Sequence, residues 1–352
     1  MSNNRKNDHI NLALDLFKQN EDKNNFEDFF IVHNSLSTTN YEDVDISTNI
    51  FNTHLPKPFY INAMTGGSKT AYEINRKLAT LARETNLMMA TGSLSAALRD
   101  PQHIPSFKVV REVNPHGFIL ANLGAERSLE DARKAIDIID ADALQIHVNV
   151  PQEMTMPEGD RNFENYKDNL NYLINNIDIP VIVKEVGFGM SREVIKELYE
   201  MGAKYVDISG AGGTSFISIE NARRQQSEFT YLNDYGIKTG ISLLEAQDYI
   251  DKLNVLASGG IKTALDIVKC LSLGAKACGM SAYFLNLIMN NDLETAISKV
   301  NNLAEEIKVL MTIFDAKNIK ALKKLDLIIS GETKAWCEAR NIDYKHFANR
   351  NQ

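Results

Sequence analysis

The segment HVNVPQE, residues 147–153, gathers four side chains that can bind or react with a ligand. They are His147, Asn149, Gln152 and Glu153, and they directly follow an apolar run. Imidazole and carboxamide groups can hydrogen-bond a polar or anionic ligand, and a carboxylate can hold a hard cation such as Mg2+. A core histidine and a carboxylate at a helix N-terminus are the structural alternatives. Because four polar groups exceed what a helix cap requires, the segment indicates a binding or catalytic site.

This segment ends the fourth of eight short apolar runs, which are separated by stretches with the spacing of amphipathic helices. Apolar strands that alternate with helices are typical of a parallel sheet covered on both faces. Eight such units favour a closed (β/α)8 TIM barrel of the α/β class over an open doubly wound sheet. The predicted strands cover residues 58–64, 87–92, 117–124, 143–149, 180–186, 204–210, 254–260 and 275–280.

The barrel is predicted to occupy residues 58–352, after an N-terminal extension at residues 1–57. The extension is polar and is predicted to be irregular, except for a helix over INLALDLF at residues 10–17. Residues 212–240 are longer than an ordinary connection, so we expect a lid insertion over the barrel mouth. Helices are expected from about Leu285 to the end of the chain.

Polar and glycine residues recur where the predicted strands end, which is the rim at which such barrels carry their sites. The segments GAGGT, SGGI and CGMS begin at positions 210, 258 and 278, and glycine lets main-chain N–H groups approach an anion closely. Tight turns also use glycine, but two segments on consecutive strands favour a phosphate site. Lys184 ends an apolar strand and needs an anionic partner. That partner is either Glu185, in a structural ion pair, or an electron-rich bound ring.

The chain has 352 residues, with 38 Lys and Arg against 46 Asp and Glu and a formal net charge of -8. This balance argues against non-specific nucleic-acid binding, which depends on a basic surface. No segment reaches the length of a membrane span, about 20 apolar residues, and the N-terminus lacks the apolar core of a signal peptide. Cys270, Cys278 and Cys337 have neither a metal-site spacing nor a disulfide framework. A soluble cytoplasmic protein is therefore expected.

Eight segments together carry a resemblance to a known family. They read RKNDH, INAMTGG, ATGSLSAALRDP, ANLGA, LQIHVNVPQEMTMPEG, PVIVKEVGFGMS, DISGAGGTSF and ASGGIKTALDIVKCLSLGAKACGMS. They resemble the type 2 isopentenyl-diphosphate isomerases, flavoproteins that interconvert isopentenyl and dimethylallyl diphosphate in isoprenoid biosynthesis. The resemblance implies a redox-neutral isomerase with FMN and Mg2+, in which NADPH is needed only to reduce the flavin initially. It also implies a homotetramer or a homo-octamer.

The resemblance further implies roles for individual residues. FMN contacts would come from Ala63, Met64, Thr65, Ser93, Asn122, Lys184, Ser209 and Thr214, with the FMN phosphate against Gly259, Gly260, Met280 and Ser281. Substrate contacts would come from Arg5, Lys6, His9, Ser93, His147, Asn149 and Gln152, of which Arg5, Lys6 and His147 would balance the diphosphate charge. Glu153 would hold Mg2+. The catalytic residues would be Gln152, His147 and Lys184, and the N-terminal extension would close over the substrate.

Two departures from the family pattern modify these expectations. The substrate loop reads SLSAALR, so positions 94 and 95 lack the Gln, His or Arg that is common there. The lid reads YGIKT from Tyr235 onward, and it lacks the usual tryptophan and proline. We therefore expect altered lid dynamics with retained activity.

Two other functions fit parts of the pattern. An FMN-dependent 2-hydroxy-acid oxidase or dehydrogenase has a similar barrel, but it carries a histidine base and arginines near the seventh strand, where this chain reads ASGGIKT. A catalytically silent flavin- or phosphate-binding module would not need the polar cluster at residues 147–153. In the isomerase hypothesis, moving an isolated double bond needs a proton carrier. Because the site lacks paired carboxylates, reduced flavin is the carrier that the resemblance supplies.

Overall fold

The computed structural model describes Leu12, Leu14, residues 24–223 and residues 229–351, and it confirms the predicted barrel. Eight parallel strands, one from each predicted run, close into a barrel in chain order. The strands are β1 (Phe59–Ile61), β2 (Met89–Ala90), β3 (Ile119–Gly124), β4 (Ala143–His147), β5 (Val181–Lys184), β6 (Tyr205–Asp207), β7 (Asn254–Ser258) and β8 (Cys278–Met280).

Helices lie between successive strands and follow the last one. They are α1 (Lys69–Thr85), α2 (Ser95–Arg99), α3 (Pro105–Val113), α4 (Leu129–Ile139), α5 (Val150–Thr155), α6 (Tyr166–Asn176), α7 (Arg192–Glu200), α8 (Phe216–Arg223), α9 (Thr239–Glu245), α10 (Ala264–Ser272), α11 (Ala282–Asn290), α12 (Leu293–Ile313), α13 (Ile319–Leu322), α14 (Gly331–Arg340) and α15 (Tyr344–Phe347). Each longer helix buries one face, as α1 does with Ile74, Leu78 and Leu81. This packing produces the parallel sheet covered by helices that the sequence predicts.

The register of the strands brings their polar ends together. His147 at the end of β4 pairs with Gly124 of β3 and with Lys184 of β5. Lys184 in turn pairs with Asp207 of β6. Neighbouring parallel strands lie about 4.8 Å apart, so side chains that are distant in the sequence meet at one rim.

The described part of the N-terminal extension contains strands that were not predicted. Residues Phe29–Ile31 pair antiparallel with Leu327–Ile329, and Thr48–Ile50 pairs with Thr53–Leu55 in a hairpin. The expectation of an irregular extension was therefore wrong at these segments, and the predicted C-terminal helical block also contains one short strand. Three-residue strands are too short for an alternating pattern to be recognised. The helix predicted over residues 10–17 falls outside the described residues, apart from Leu12 and Leu14, which are helical.

The hairpin covers the barrel end at which the strands begin. One buried cluster contains Ile50, Phe51 and Leu55 together with side chains from the barrel strands, such as Leu120, Ala143 and Ile182. The ring of Phe51 stacks on that of Phe118, just before β3, with centroids 5.2 Å apart. An apolar plug at this end leaves the carboxyl ends of the strands for the site.

In the described part of the chain, no helix combines the length and the apolar character that a membrane crossing requires.

Candidate active site

A cavity of about 430 Å³ lies at the carboxyl ends of the strands. Every predicted site residue that the structure describes lines it. These residues are Ala63, Met64, Thr65, Ser93, Asn122, His147, Asn149, Gln152, Glu153, Lys184, Ser209, Thr214, Gly259, Gly260, Met280 and Ser281. Arg5, Lys6 and His9 lie outside the described residues.

The HVNVPQE segment forms the turn from β4 into α5. Asn149 precedes the helix, and its Nδ2 donates to Glu153 Oε1 at 2.8 Å and to Gln152 Oε1 at 3.3 Å. The second carboxylate oxygen of Glu153 accepts from the main-chain N–H of Asp160 at 2.8 Å. Each oxygen of Glu153 keeps a free lone-pair direction, because one donor does not saturate it. The carboxylate is thus held at the cavity wall and can still accept a cation.

The surroundings of His147 disfavour the charged form of its ring. Its Nδ1 lies 2.9 Å from Oδ1 of Asn122. Burial, together with the positive charges of Lys184 and Arg127, lowers the pKa of His147 to about 3. The expected part of His147 in balancing the diphosphate charge stays a prediction, and this lowered pKa favours a neutral ring.

Lys184 is a buried cation whose hydrogen-bond acceptors are neutral. It is 6% exposed, and its Nζ donates to the main-chain carbonyl of Glu185 at 2.6 Å and to Ser209 Oγ at 3.2 Å. The carboxylate of Glu185 instead accepts main-chain N–H bonds from Gly187 and Gly189 at 2.8 and 3.2 Å. No salt bridge joins Lys184 to any carboxylate of the described residues. A buried ammonium whose charge no carboxylate neutralises is suited to bind an anionic ligand.

The glycine segments form a cradle in which main chain packs on main chain. Gly259 and Gly260 have φ angles of +100° and +71°. A Cβ atom on Gly259 would lie 1.9 Å from the carbonyl oxygen of Gly210, and one on Gly213 would lie 2.7 Å from the nitrogen of Gly260. Helix α11 starts directly after Ser281 at the same wall, so its positive dipole end faces the cavity. This arrangement fits a phosphate group.

Comparisons with known proteins agree with this geometry. The model of the family described as FMN-dependent dehydrogenase matches residues 121–328. An isopentenyl-diphosphate delta-isomerase of Staphylococcus haemolyticus is 45% identical over 96% of this chain and 97% of its own. One of Staphylococcus aureus strain Newman is 44% identical over 96% of this chain and 97% of its own.

The chain belongs to the isopentenyl-diphosphate delta-isomerase family. Solved structures show the same fold in more distant proteins. A flavocytochrome b2 variant has a TM-score of 0.67 and 19% identity, and the match covers 93% of this chain and 84% of that one. A mandelate oxidase variant has a TM-score of 0.64 and 18% identity over 87% and 89% of the two chains. At this identity the likeness concerns the barrel alone.

Two residues of this isomerase-family site were missed by the sequence analysis. Arg99 of α2 lines the cavity, and its Nε donates to the carbonyl of Ser95 at 3.2 Å. It is the last residue of the substrate loop SLSAALR and lies one helical turn after Ser95, so this spacing was a usable signal. Asn24 donates from Nδ2 to the carbonyl of Gly260 at 2.8 Å. No sequence pattern links these two, because 236 positions separate them.

The low pKa of His147 predicts a measurable pH dependence of stability. The folded-state pKa, about 3, lies below the ordinary value of 6.5, so in this interval the unfolded chain binds a proton that the folded chain excludes. The free energy of unfolding therefore falls as the pH falls from 6.5 towards 3, by about 2 kcal/mol at pH 5 for this group. His147→Gln should lose less stability between pH 7 and pH 5 than the unmodified protein, as measured by urea unfolding. The same substitution at exposed His116 should preserve the unmodified loss, and an equal loss in both variants would contradict this prediction.

Proposed function

We propose that this protein catalyses the FMN-dependent isomerisation of isopentenyl diphosphate to dimethylallyl diphosphate, in isoprenoid biosynthesis. The observation that carries the proposal is one cavity in which a buried ammonium, Lys184, adjoins a glycine cradle for phosphate at Gly259 and Gly260. The polar segment at residues 147–153 lines the same cavity. Relatives 44% and 45% identical over nearly the whole chain carry the name of this isomerase.

The residues that are present fit FMN. Its phosphate would be held by the glycine cradle, and its ring by Ala63, Met64, Thr65, Ser93, Asn122, Lys184, Ser209 and Thr214. When bound and reduced, FMN supplies a group that can exchange a proton with an alkene carbon. Lys184 would offset the negative charge of the reduced ring, because a buried cation stabilises an adjacent anion. The barrel walls would exclude water from the reacting carbons.

The chain's own side chains would bind and orient the substrate. Gln152 has a neutral carboxamide, which can position a ligand but cannot easily act as an acid. His147 is neutral and would contact the diphosphate through one ring nitrogen. Arg5, Lys6 and His9 would supply positive charge from the N-terminal extension. The bond from Asn24 to Gly260 supports this role, because it holds the middle of the extension against a residue that lines the cavity.

Glu153 would hold Mg2+ through a carboxylate oxygen. Mg2+ commonly takes one or two carboxylates and completes its shell with waters and phosphate oxygens. The described residues contain no group of three acidic, histidine or cysteine side chains placed to hold a metal. The ion would therefore bind chiefly together with the diphosphate.

Glu153→Gln should raise the Mg2+ concentration for half-maximal activity by at least about tenfold, because losing a direct ligand costs at least as much as losing a supporting group. FMN binding, followed by flavin fluorescence, should not change. Asp160→Asn is the matched control, since Asp160 contacts Glu153 through its main-chain N–H and keeps that bond. The assignment fails if Glu153→Gln has the Mg2+ dependence of the unmodified protein.

Arg99 is proposed to contact the diphosphate in place of positions 94 and 95. It lines the cavity, and no carboxylate of the described residues forms a salt bridge with it. Arg99→Ala should raise KM for isopentenyl diphosphate about tenfold with little change in kcat, because a bond to a charged group is lost. Arg76→Ala, which removes an exposed arginine paired with Glu73, is the control. An unchanged KM for Arg99→Ala would exclude this contact.

The remaining assignments concern the reductant, the assembly and the compartment. NADPH would reduce the flavin without being consumed at each turnover, because the substrate and product have the same oxidation state. A homotetramer or homo-octamer is proposed, which light scattering of the purified protein would test. Cytoplasmic location is proposed, and the three buried free thiols, Cys270, Cys278 and Cys337, are consistent with a reducing compartment.

One assay separates the isomerase from an FMN-dependent 2-hydroxy-acid oxidase. The protein would be incubated with FMN, Mg2+ and either isopentenyl diphosphate or a 2-hydroxy acid such as mandelate. The proposal predicts conversion of the diphosphate only after the flavin is reduced, and no oxidation of the hydroxy acid. Full conversion with oxidised FMN and no reductant, or hydroxy-acid oxidation in place of isomerisation, would overturn it.

A further inference from the structure

A chain of side-chain hydrogen bonds crosses the barrel interior from Asp207 to His147. Its members are almost completely buried, with exposed fractions of 0% for Asp207 and Gln145, 1% for Asn62 and 4% for Asn122. The bonds join Asp207 to Asn62 at 2.9 Å, Asn62 to Gln145 at 2.9 Å, Gln145 to Asn122 at 3.1 Å and Asn122 to His147 at 2.9 Å. Such a network has a direction, because each carboxamide has one donating end and one accepting end.

A main-chain group fixes that direction at Asn62. The N–H of Ala63 donates to Asn62 Oδ1 at 2.8 Å, and a main-chain N–H can only donate. The side-chain oxygen of Asn62 must therefore face Ala63, and its Nδ2 faces the carboxylate of Asp207. Gln145 donates from Nε2 to the same Oδ1. The orientation of Gln145 follows, with its Oε1 directed away from Asn62.

The orientation then passes to His147. Gln145 Oε1 accepts from Asn122 Nδ2, so Asn122 presents Oδ1 to the Nδ1 atom of His147. A carbonyl oxygen and an unprotonated ring nitrogen are both acceptors and cannot form a hydrogen bond. The hydrogen must therefore be on Nδ1. This bond sets the tautomer, because a neutral histidine carries a hydrogen on only one ring nitrogen.

We propose that Asn62 and Gln145 are positioning residues that hold His147 as the Nδ1-protonated tautomer, with the lone pair of Nε2 facing the cavity as a hydrogen-bond acceptor. His147 lines the cavity, and Nε2 has no hydrogen-bond partner among the described residues. The pKa of the ring, lowered to about 3, leaves it with a single hydrogen.

The consequence for the site rests on the proposed function. A diphosphate oxygen without a hydrogen is an acceptor and cannot bond to an acceptor nitrogen. His147 therefore contacts the diphosphate through a hydrogen on the ligand side, either a protonated phosphate oxygen or a water bound to the phosphate. In this tautomer the ring also has no hydrogen on Nε2 to donate, so His147 cannot be the acid of the proton shift.

The test is nitrogen-15 NMR of the FMN-bound protein labelled at histidine, recorded near pH 7 without substrate. The signals of His147 are assigned by their loss in His147→Gln. We expect a protonated, pyrrole-type Nδ1 and an unprotonated, pyridine-type Nε2. A protonated Nε2, alone or together with Nδ1, overturns the proposal. Because no substrate is present, this outcome is independent of whether the protein is an isomerase.

Two variants test the positioning role. Gln145→Met fills the same space without a hydrogen-bonding end, so Asn122 is free to turn and the His147 signals should shift towards a mixture of tautomers. Tyr60→Phe removes a different donor to Asp207, at 3.1 Å, and leaves the carboxamide chain intact, so the tautomer should not change. An unchanged tautomer in folded Gln145→Met would contradict the role of Gln145. If that variant does not fold, the tautomer of the unmodified protein still decides the inference.

Discussion

Lys184→Met is expected to lower the affinity for reduced FMN by about 100-fold or more, with a smaller loss for oxidised FMN. The substitution removes a buried charge, and removing one partner of a buried charge pair costs about 3 to 5 kcal/mol. The neutral oxidised ring depends less on this cation. The reduction potential of the bound flavin should therefore become more negative. Fluorescence titration of both redox states and a spectroelectrochemical titration would measure the two effects.

Lys57→Met is the matched control for this prediction. Lys57 is partly buried and, like Lys184, donates to a main-chain oxygen, that of Thr85, at 2.7 Å. It lies before β1, at the barrel end that the hairpin covers. Its substitution should leave the affinity for FMN and the reduction potential unchanged. Equal losses for the two redox states in Lys184→Met would indicate a packing effect and contradict the electrostatic role.

Gly259→Ala is expected to reduce FMN affinity by about 5- to 150-fold, as strain of about 1 to 3 kcal/mol implies. The residue has a φ of +100°, and its new methyl group would lie 1.9 Å from the carbonyl oxygen of Gly210. The main chain must move to relieve this contact, and the phosphate cradle would move with it. Fluorescence titration with FMN would measure the loss, and urea unfolding would record any change in overall stability.

Gly202→Ala controls for the backbone strain. Gly202 has a φ of +91°, and a Cβ atom there would find its nearest neighbour, Asn175 Oδ1, at 3.3 Å, away from the cavity. This variant should lose about 1 kcal/mol of stability and retain FMN affinity. If Gly259→Ala binds FMN like the unmodified protein, the cradle does not hold the phosphate.

The sequence predicted the barrel, and the rim at which the candidate site residues meet, for a physical reason. Strands buried on both faces are continuous apolar runs, and their parallel arrangement brings all their carboxyl ends to one rim. Residues such as Ser93, His147 and Lys184, which are far apart in the sequence, therefore line one cavity. The position of a residue at a strand end was enough to place it.

Properties that depend on long-range contacts could not be predicted in this way. The lowered pKa of His147 results from burial and from two cations that only the fold brings near. Lys184 forms no salt bridge with Glu185, although the two residues are adjacent in the sequence. The carboxylate of Glu185 instead accepts hydrogen bonds from main-chain N–H groups. The bond from Asn24 to Gly260 joins segments 236 positions apart.

The most direct test of the account is reconstitution of flavin-free protein. Protein stripped of flavin would be given isopentenyl diphosphate and Mg2+, and proton NMR would follow the appearance of dimethylallyl diphosphate. The account predicts no conversion by the colourless protein and a rate that rises in proportion to bound FMN once the flavin is reduced. Colourless protein that equilibrates the two isomers at the reconstituted rate would contradict it.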